Sequence, residues 1–195
     1  MQLRIPGFIR FIWFVVCALA FLNAQDRAID VQRSTITIHV GKAGLFSIAG
    51  HEHWVEAPIS SGVISDSTPA HVEFRVDPAK MEVKPDPKVE AKTQAEIQKD
   101  MQEKTLESTK YPEIVFRSTR VEKQGPRQWR VEGLLSLHGM SNQISVLVAR
   151  SDNAYTGHTT LRQTDFGIKP VTAAGVNVKV KNELQLEFRF FASTH

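Results

Sequence analysis

His51 and His53 stand one residue apart, beside Trp54, in the stretch GLFSIAGHEHWVEAP at residues 44–58. Side chains alternate along an extended backbone, so the two imidazoles would share one side, about 6–7 Å apart at their Cα atoms, with Glu52 facing away. That spacing suits a single metal ion. A zinc site takes three or four protein ligands. No third ligand is fixed by spacing, so His71 or His158 would have to be brought in by the fold. The competing reading is that Gly50 begins a turn and the two rings hydrogen-bond nearby backbone.

Other chemistry is thin. No Gly-x-Ser-x-Gly occurs, and Asp165 in QTDFGI resembles the kinase tripeptide Asp-Phe-Gly without a Gly-rich phosphate loop or a catalytic-loop signature around it. A strand end followed by a turn explains those residues better. The acids of VEAKTQAE and KDMQEK read as the wet face of a helix. No catalytic residue and no cofactor are expected.

The elements that must position the histidines begin after residue 24. Arg4 and Arg10 precede the apolar run FIWFVVCALAFL (residues 11–22), and NAQD follows. This is the three-part pattern of a secretory signal peptide, with Ala24 as the last residue before the cut and Ala18 or Ala20 as alternatives. Twelve residues at ~1.5 Å each reach ~18 Å, short of the ~30 Å hydrocarbon core, so no stable membrane span is expected after cleavage. Cys17 is the only cysteine and falls inside this run. Val16 precedes it where a lipoprotein signal needs a small residue. The expected product is exported, periplasmic or secreted, with 171 residues (195 less 24) and no disulfide. Its formal charge drops from +3 to +1 with the loss of Arg4 and Arg10. Lys and Arg are spread among acids, which argues against nucleic acid as a partner. A homodimer stays open.

Period-two alternation dominates what remains. STITIHV places Ile36, Ile38 and Val40 on one face, and HVEFRVD places Val72, Phe74 and Val76. Similar patterns carry Ile114 and Phe116, Val131 to Leu137, Ile144 to Val148, Val176 to Val180, and Leu184 to Phe190. SDSTP, KQGPR, HGMSN and TAAG mark turns between them. These are strands with one apolar face. Residues 86–113 break the rule: they are rich in Ala, Glu, Lys and Gln, and Ala95, Ile97, Met101, Thr105 and Leu106 form a weak helical stripe that Pro112 ends. One helix near 88–110 cannot cover so many apolar faces. Closing the sheet buries them and removes its edges. The expected fold is all-β, an antiparallel eight-stranded barrel with one helical insertion, and a two-layer sandwich is the alternative.

Several segments in this order resemble the YceI-like family, a lipid- and polyisoprenoid-binding domain. They are AIDVQRSTITIHVGKAGLFSIAGHEHWVEAPISSGVI, then LESTKYPEIVFRSTRVE (residues 106–122), GLLSLHGMSNQISVLV (residues 133–148), and QTDFGI with NELQLEFRF. The resemblance covers roughly residues 28–191. It implies a lipocalin-like barrel, an apolar small molecule (isoprenoid or lipid) held inside, an exported location and no catalytic residue. AGHEHW departs from the family, many of whose members have a short basic segment there. The expected apolar lining is Phe46, Ile48, Trp54, Phe74, Phe116, Leu135, Leu137, Val146, Val148, Phe188 and Phe190, with His51, His53 and Trp54 near the rim. Two other readings compete: a metal-binding protein built on His51 and His53, and a structural or stress-related module whose barrel is filled by its own side chains.

Overall fold

The computed structural model describes residues 26–43, 52–171 and 179–193. Ten strands follow one another along the chain. They are β1 (Arg27–Ala28), β2 (Thr35–Ala43), β3 (His53–Ser65), β4 (His71–Val76), β5 (Glu82–Val83), β6 (Ile114–Gly125), β7 (Gln128–Leu137), β8 (Met140–Ser151), β9 (Ala154–Arg162) and β10 (Lys179–Phe191). All pairings are antiparallel. Eight strands run β3-β2-β10-β9-β8-β7-β6-β4, and β4 pairs with β3 again to close the ring. The short β1 and β5 add to β3. The fold is therefore a closed eight-stranded barrel, and the two-layer sandwich is not formed.

Closure follows from the alternation. Ile36 and Ile38, Phe74, Phe116, Leu135, Val146 and Leu186 all come from the inward parity of their strands, and no helix layer is needed to cover them. Register shifts between Ile59 and Ser61 in β3 and between Ser118 and Arg120 in β6 let these long strands bend around the barrel. The β8–β9 ladder stops at Leu147 and His158. Beyond it the chain leaves β9 through a 3-10 turn at Gln163–Phe166, which Asn142 Nδ2 ties back to β8 by donating to the Asp165 carbonyl at 2.6 Å. The Asp-Phe-Gly residues thus make a strand end and a turn, with Gly167 at φ 70°.

The helical insertion is α1 (Ala91–Asp100), continued by a π-helical turn at Met101–Thr105. None of its residues is buried. It is fixed instead by three glutamines four residues apart. Gln98 accepts from Val83 N at 2.7 Å and donates to the Met81 carbonyl at 2.8 Å, while Gln102 donates to the Ala79 carbonyl at 2.8 Å. Gln94 reaches the Val83 and Lys84 carbonyls at 3.3 Å. These amides satisfy the backbone of β5 that no further strand covers.

At the far side of the π-turn, His138 in the β7–β8 turn stands between two acceptors, with Nε2 2.8 Å from Glu107 and Nδ1 3.2 Å from the Phe166 carbonyl. Tyr111 packs on its ring at a centroid distance of 4.4 Å. This contact joins the exit of the helical segment to the 163–166 turn.

Candidate functional site

The barrel is hollow. A cavity of about 690 Å³ runs along its axis, and its wall is overwhelmingly aliphatic and aromatic. The reading of a barrel filled by its own side chains is therefore not met. Residues that point inward on β10, among them Leu184, Leu186 and Phe188, stay only half-buried because they face that space.

The rings keep the space open by lying against the wall. Phe116 covers Gly133 on the neighbouring strand, where a Cβ would come 2.5 Å from its ring, and Phe188 covers Gly157 in the same way. Phe74 stacks on Phe116 at 5.4 Å and meets Phe190 edge-on at 5.2 Å, and Phe190 packs on Phe188 at 4.8 Å. This aromatic cluster lies toward the end where β2, β7, β9 and β1 begin, the floor, where Asp66, Ala70 and His71 also line the cavity. The opposite end lies under α1. There Ile97 and Met101 face the cavity, and the exposed Thr93, Glu96 and Val171 make its mouth.

Polar groups gather at the floor. Asp66 accepts from Tyr155 Oη at 2.7 Å and from Arg150 at 2.6 Å, and Arg27 pairs with it at 3.2 Å. Burial pushes the Asp66 carboxyl up, but the Tyr155 hydrogen bond and the two guanidiniums outweigh it and hold it below the usual carboxylate range. Burial, with the adjoining Asp66 charge, raises the Tyr155 phenol. No sequence spacing announces this cluster, since its partners are up to 128 residues apart.

Of the residues expected to line the site, Phe74, Phe116, Leu135, Leu137, Val146, Val148, Phe188 and Phe190 are brought together around the cavity. Trp54 is a correction. Its neighbours Val55 and Ala57 set the parity of β3, with Val55 and Ala57 inward, so Trp54 points out, is 46% exposed and stacks on His39 at 4.4 Å. His39 in turn meets Glu52 at 3.1 Å. Phe46, Ile48 and His51 lie outside the described residues. His53 lines the mouth end of the cavity. Neither proposed third ligand joins it: His71 sits opposite Ser65 at the other end of β3, 3.1 Å from Asp26, and His158 is on the outer face. Among the described residues no three metal-ligating side chains come together. Sequence reasoning passed over Trp129, Tyr155, Thr159 and Gln163, which also line the cavity.

The YceI-like domain matches residues 28–192, most of the chain. The chain belongs to the YceI-like family. Solved YceI-like neighbours share the barrel of this chain. BcnA of Burkholderia cenocepacia aligns with a TM-score of 0.60 at 15% identity, covering 85% of this chain and 99% of that one. A polyisoprenoid binding domain from Saccharophagus degradans, implicated in plant cell wall breakdown, aligns with a TM-score of 0.59 at 14% identity, covering 86% and 98%. At such identities the likeness speaks for the fold. No curated protein matches the chain. Among the described residues of this YceI-like chain, no helix is long and apolar enough to cross a membrane.

Proposed function

We propose that this YceI-like chain is an exported, non-catalytic binding protein that holds one long apolar molecule of isoprenoid or lipid type inside its barrel. The observation that carries the reading is the apolar cavity of about 690 Å³. Its size falls within the ~300–1,000 Å³ of ordinary ligand sites. Each CH2 moved from water into such a space contributes about 0.8 kcal/mol, so affinity needs shape and apolar wall rather than a polar motif. The Saccharophagus neighbour, described as polyisoprenoid binding, has the same fold. Export rests on the leader-like residues 1–24, which end just before the family domain begins at residue 28.

The test is extraction of the protein purified from its own host, followed by mass spectrometry. One hydrophobic compound in near-stoichiometric amount is expected. Repeatedly empty extracts, together with failure of the purified chain to bind an apolar fluorescent dye, would refute the reading. Recovery of the chain with residues 1–24 intact from the cytoplasmic fraction of that host would refute export.

A further inference from the structure

The barrel wall has a seam. The β8–β9 ladder stops at Leu147 and His158, while residues 140–146 of β8 and 159–162 of β9 run on toward the mouth without pairing to each other. Each strand keeps its ladder on the other side, β8 to β7 and β9 to β10. Ile144 and Val146 on one side of the seam and Thr159 and Leu161 on the other all line the cavity, so the wall lacks a ladder where it encloses the ligand space. The turn at Gln163–Phe166 belongs with the β9–β10 side. Gln163 Nε2 donates to the Lys181 carbonyl at 2.8 Å, Thr164 N donates to Asn182 Oδ1 at 3.0 Å, and Asn182 Nδ2 donates to Thr164 Oγ1 at 2.9 Å. Two side chains tie this turn across the seam to the β7–β8 hairpin. Asn142 holds the Asp165 carbonyl, and His138 Nδ1 holds the Phe166 carbonyl at 3.2 Å.

We infer that His138 is a proton-operated latch on this seam: charged, it holds the wall shut, and neutral, it lets the wall part so that the bound lipid exchanges faster. This rests on the cavity being a lipid site, as proposed above, and adds how traffic through it is controlled. Both partners of the ring are acceptors, the Phe166 carbonyl and the Glu107 carboxylate. A carbonyl and an ionised carboxylate cannot donate, so both ring nitrogens must carry protons to make both bonds. The neutral ring has one N–H. It stays where the bond is stronger, on Nε2 at the Glu107 carboxylate 2.8 Å away. Nδ1 then turns a lone pair toward the Phe166 carbonyl, and the bond that crosses the seam is lost. Histidine is the side chain that changes charge between about pH 5 and 8, so the seam is held at the acid end of that range and freed as pH rises. The groups around the ring are few. From the helix exit come Glu107, Lys110 at 3.8 Å from the same carboxylate, and Tyr111 on the ring face. From the turn side Asp165 and Lys169 are exposed, and Met140 and Asn142 on β8 carry no charge.

The experiment follows exchange of an apolar fluorescent dye by stopped flow from about pH 5 to about pH 8. It uses the parent chain and His138→Asn, since Asn suits the left-handed backbone at φ 53° and does not titrate. Loss of one charge-assisted hydrogen bond corresponds to about tenfold faster exchange in the parent at the high-pH end. His138→Asn is expected to exchange at one rate throughout. Nitrogen NMR of the labelled histidine rings reads the latch in the unsubstituted chain, so the test stands even if His138→Asn does not fold. Both His138 nitrogens should be protonated at the acid end, and Nε2 alone at the other. A parent exchange rate that ignores pH while dye affinity holds overturns the inference and leaves the lipid cavity intact. So does a rise that survives in His138→Asn, which would place it on His53 at the mouth or His71 at the floor. A neutral His138 ring that keeps its proton on Nδ1 also overturns it. If the dye is not bound at any pH, the proposed function fails and the inference with it.

Discussion

The sharpest test of how the lumen stays open is Gly157→Ala. Gly157 lies opposite Phe188 in the β9–β10 ladder, with the Phe188 ring over it. A methyl at residue 157 would stand 2.5 Å from Cζ of that ring, 2.7 Å from Cε1 and 2.8 Å from the Leu147 carbonyl. Ordinary contact begins near 3.4 Å, so the ring must retreat by about 0.9 Å. The wall is behind it, so it moves into the lumen. Overpacking of this kind costs about 1–3 kcal/mol. At about 2–4 °C per kcal/mol for a domain of this size, the melting temperature drops by roughly 2–12 °C. The same displacement takes space from the ligand, and binding of a long-chain probe weakens. Phe188→Leu added to Gly157→Ala frees the methyl from the ring but not from the Leu147 carbonyl, so part of both losses should return as a positive coupling in a double-mutant cycle. Thermal unfolding by circular dichroism and dye displacement read the two effects. If Gly157→Ala melts and binds like the parent, or if Phe188→Leu relieves neither loss, the rings are not what holds the lumen open.

Trp54→Ala removes an outward side chain, so ligand affinity should stay within about twofold and stability should fall by less than ~1 kcal/mol; a large loss of binding would return Trp54 to the site. Gln98→Leu removes both bonds to the β5 segment, and faster amide exchange across α1 with faster release of a bound probe is expected; unchanged rates would mean that the glutamines do not hold the helix. The folded-state pKa of Asp66 is depressed, so its contribution is present above the unfolded value near 3.9 and is lost as pH falls through the folded one. Asp66→Asn should accordingly lower stability at pH 7 and flatten the acid limb of a stability–pH profile below about pH 4; parallel profiles for parent and variant would contradict the ion cluster.

Most of the wall was legible because its inward residues are uniformly Ile, Val, Leu and Phe, and alternation against Glu, Arg and Gln marks parity without ambiguity. β9 escaped because its inward set is Tyr155, Gly157, Thr159 and Leu161, in which small and polar residues hide the period. Trp54 reads as inward in the sequence because a large aromatic beside a Gly-containing stretch resembles a rim; the parity of Val55 and Ala57 decides otherwise. The composition of residues 86–113 announced a helix, but Gln94, Gln98 and Gln102 would suit a solvated face equally well, so their role as substitutes for a neighbouring strand could not be read. Hollowness was not legible either. It depends on Gly133 and Gly157 lying beneath phenylalanine rings of adjacent strands, and that juxtaposition exists only once the register is set.

The two ends of the described chain meet beneath the floor: Ser193 N bonds the Ala28 carbonyl at 2.8 Å, and Ile29 bridges to Ala192. Residues 26 and 193 therefore both lie at the base of the barrel, a full strand length from the opening. A molecule tethered at either of these residues, whether to a bead or to a bilayer, would stand like a cup on its foot, with its opening free to exchange cargo with whatever drifts past above it.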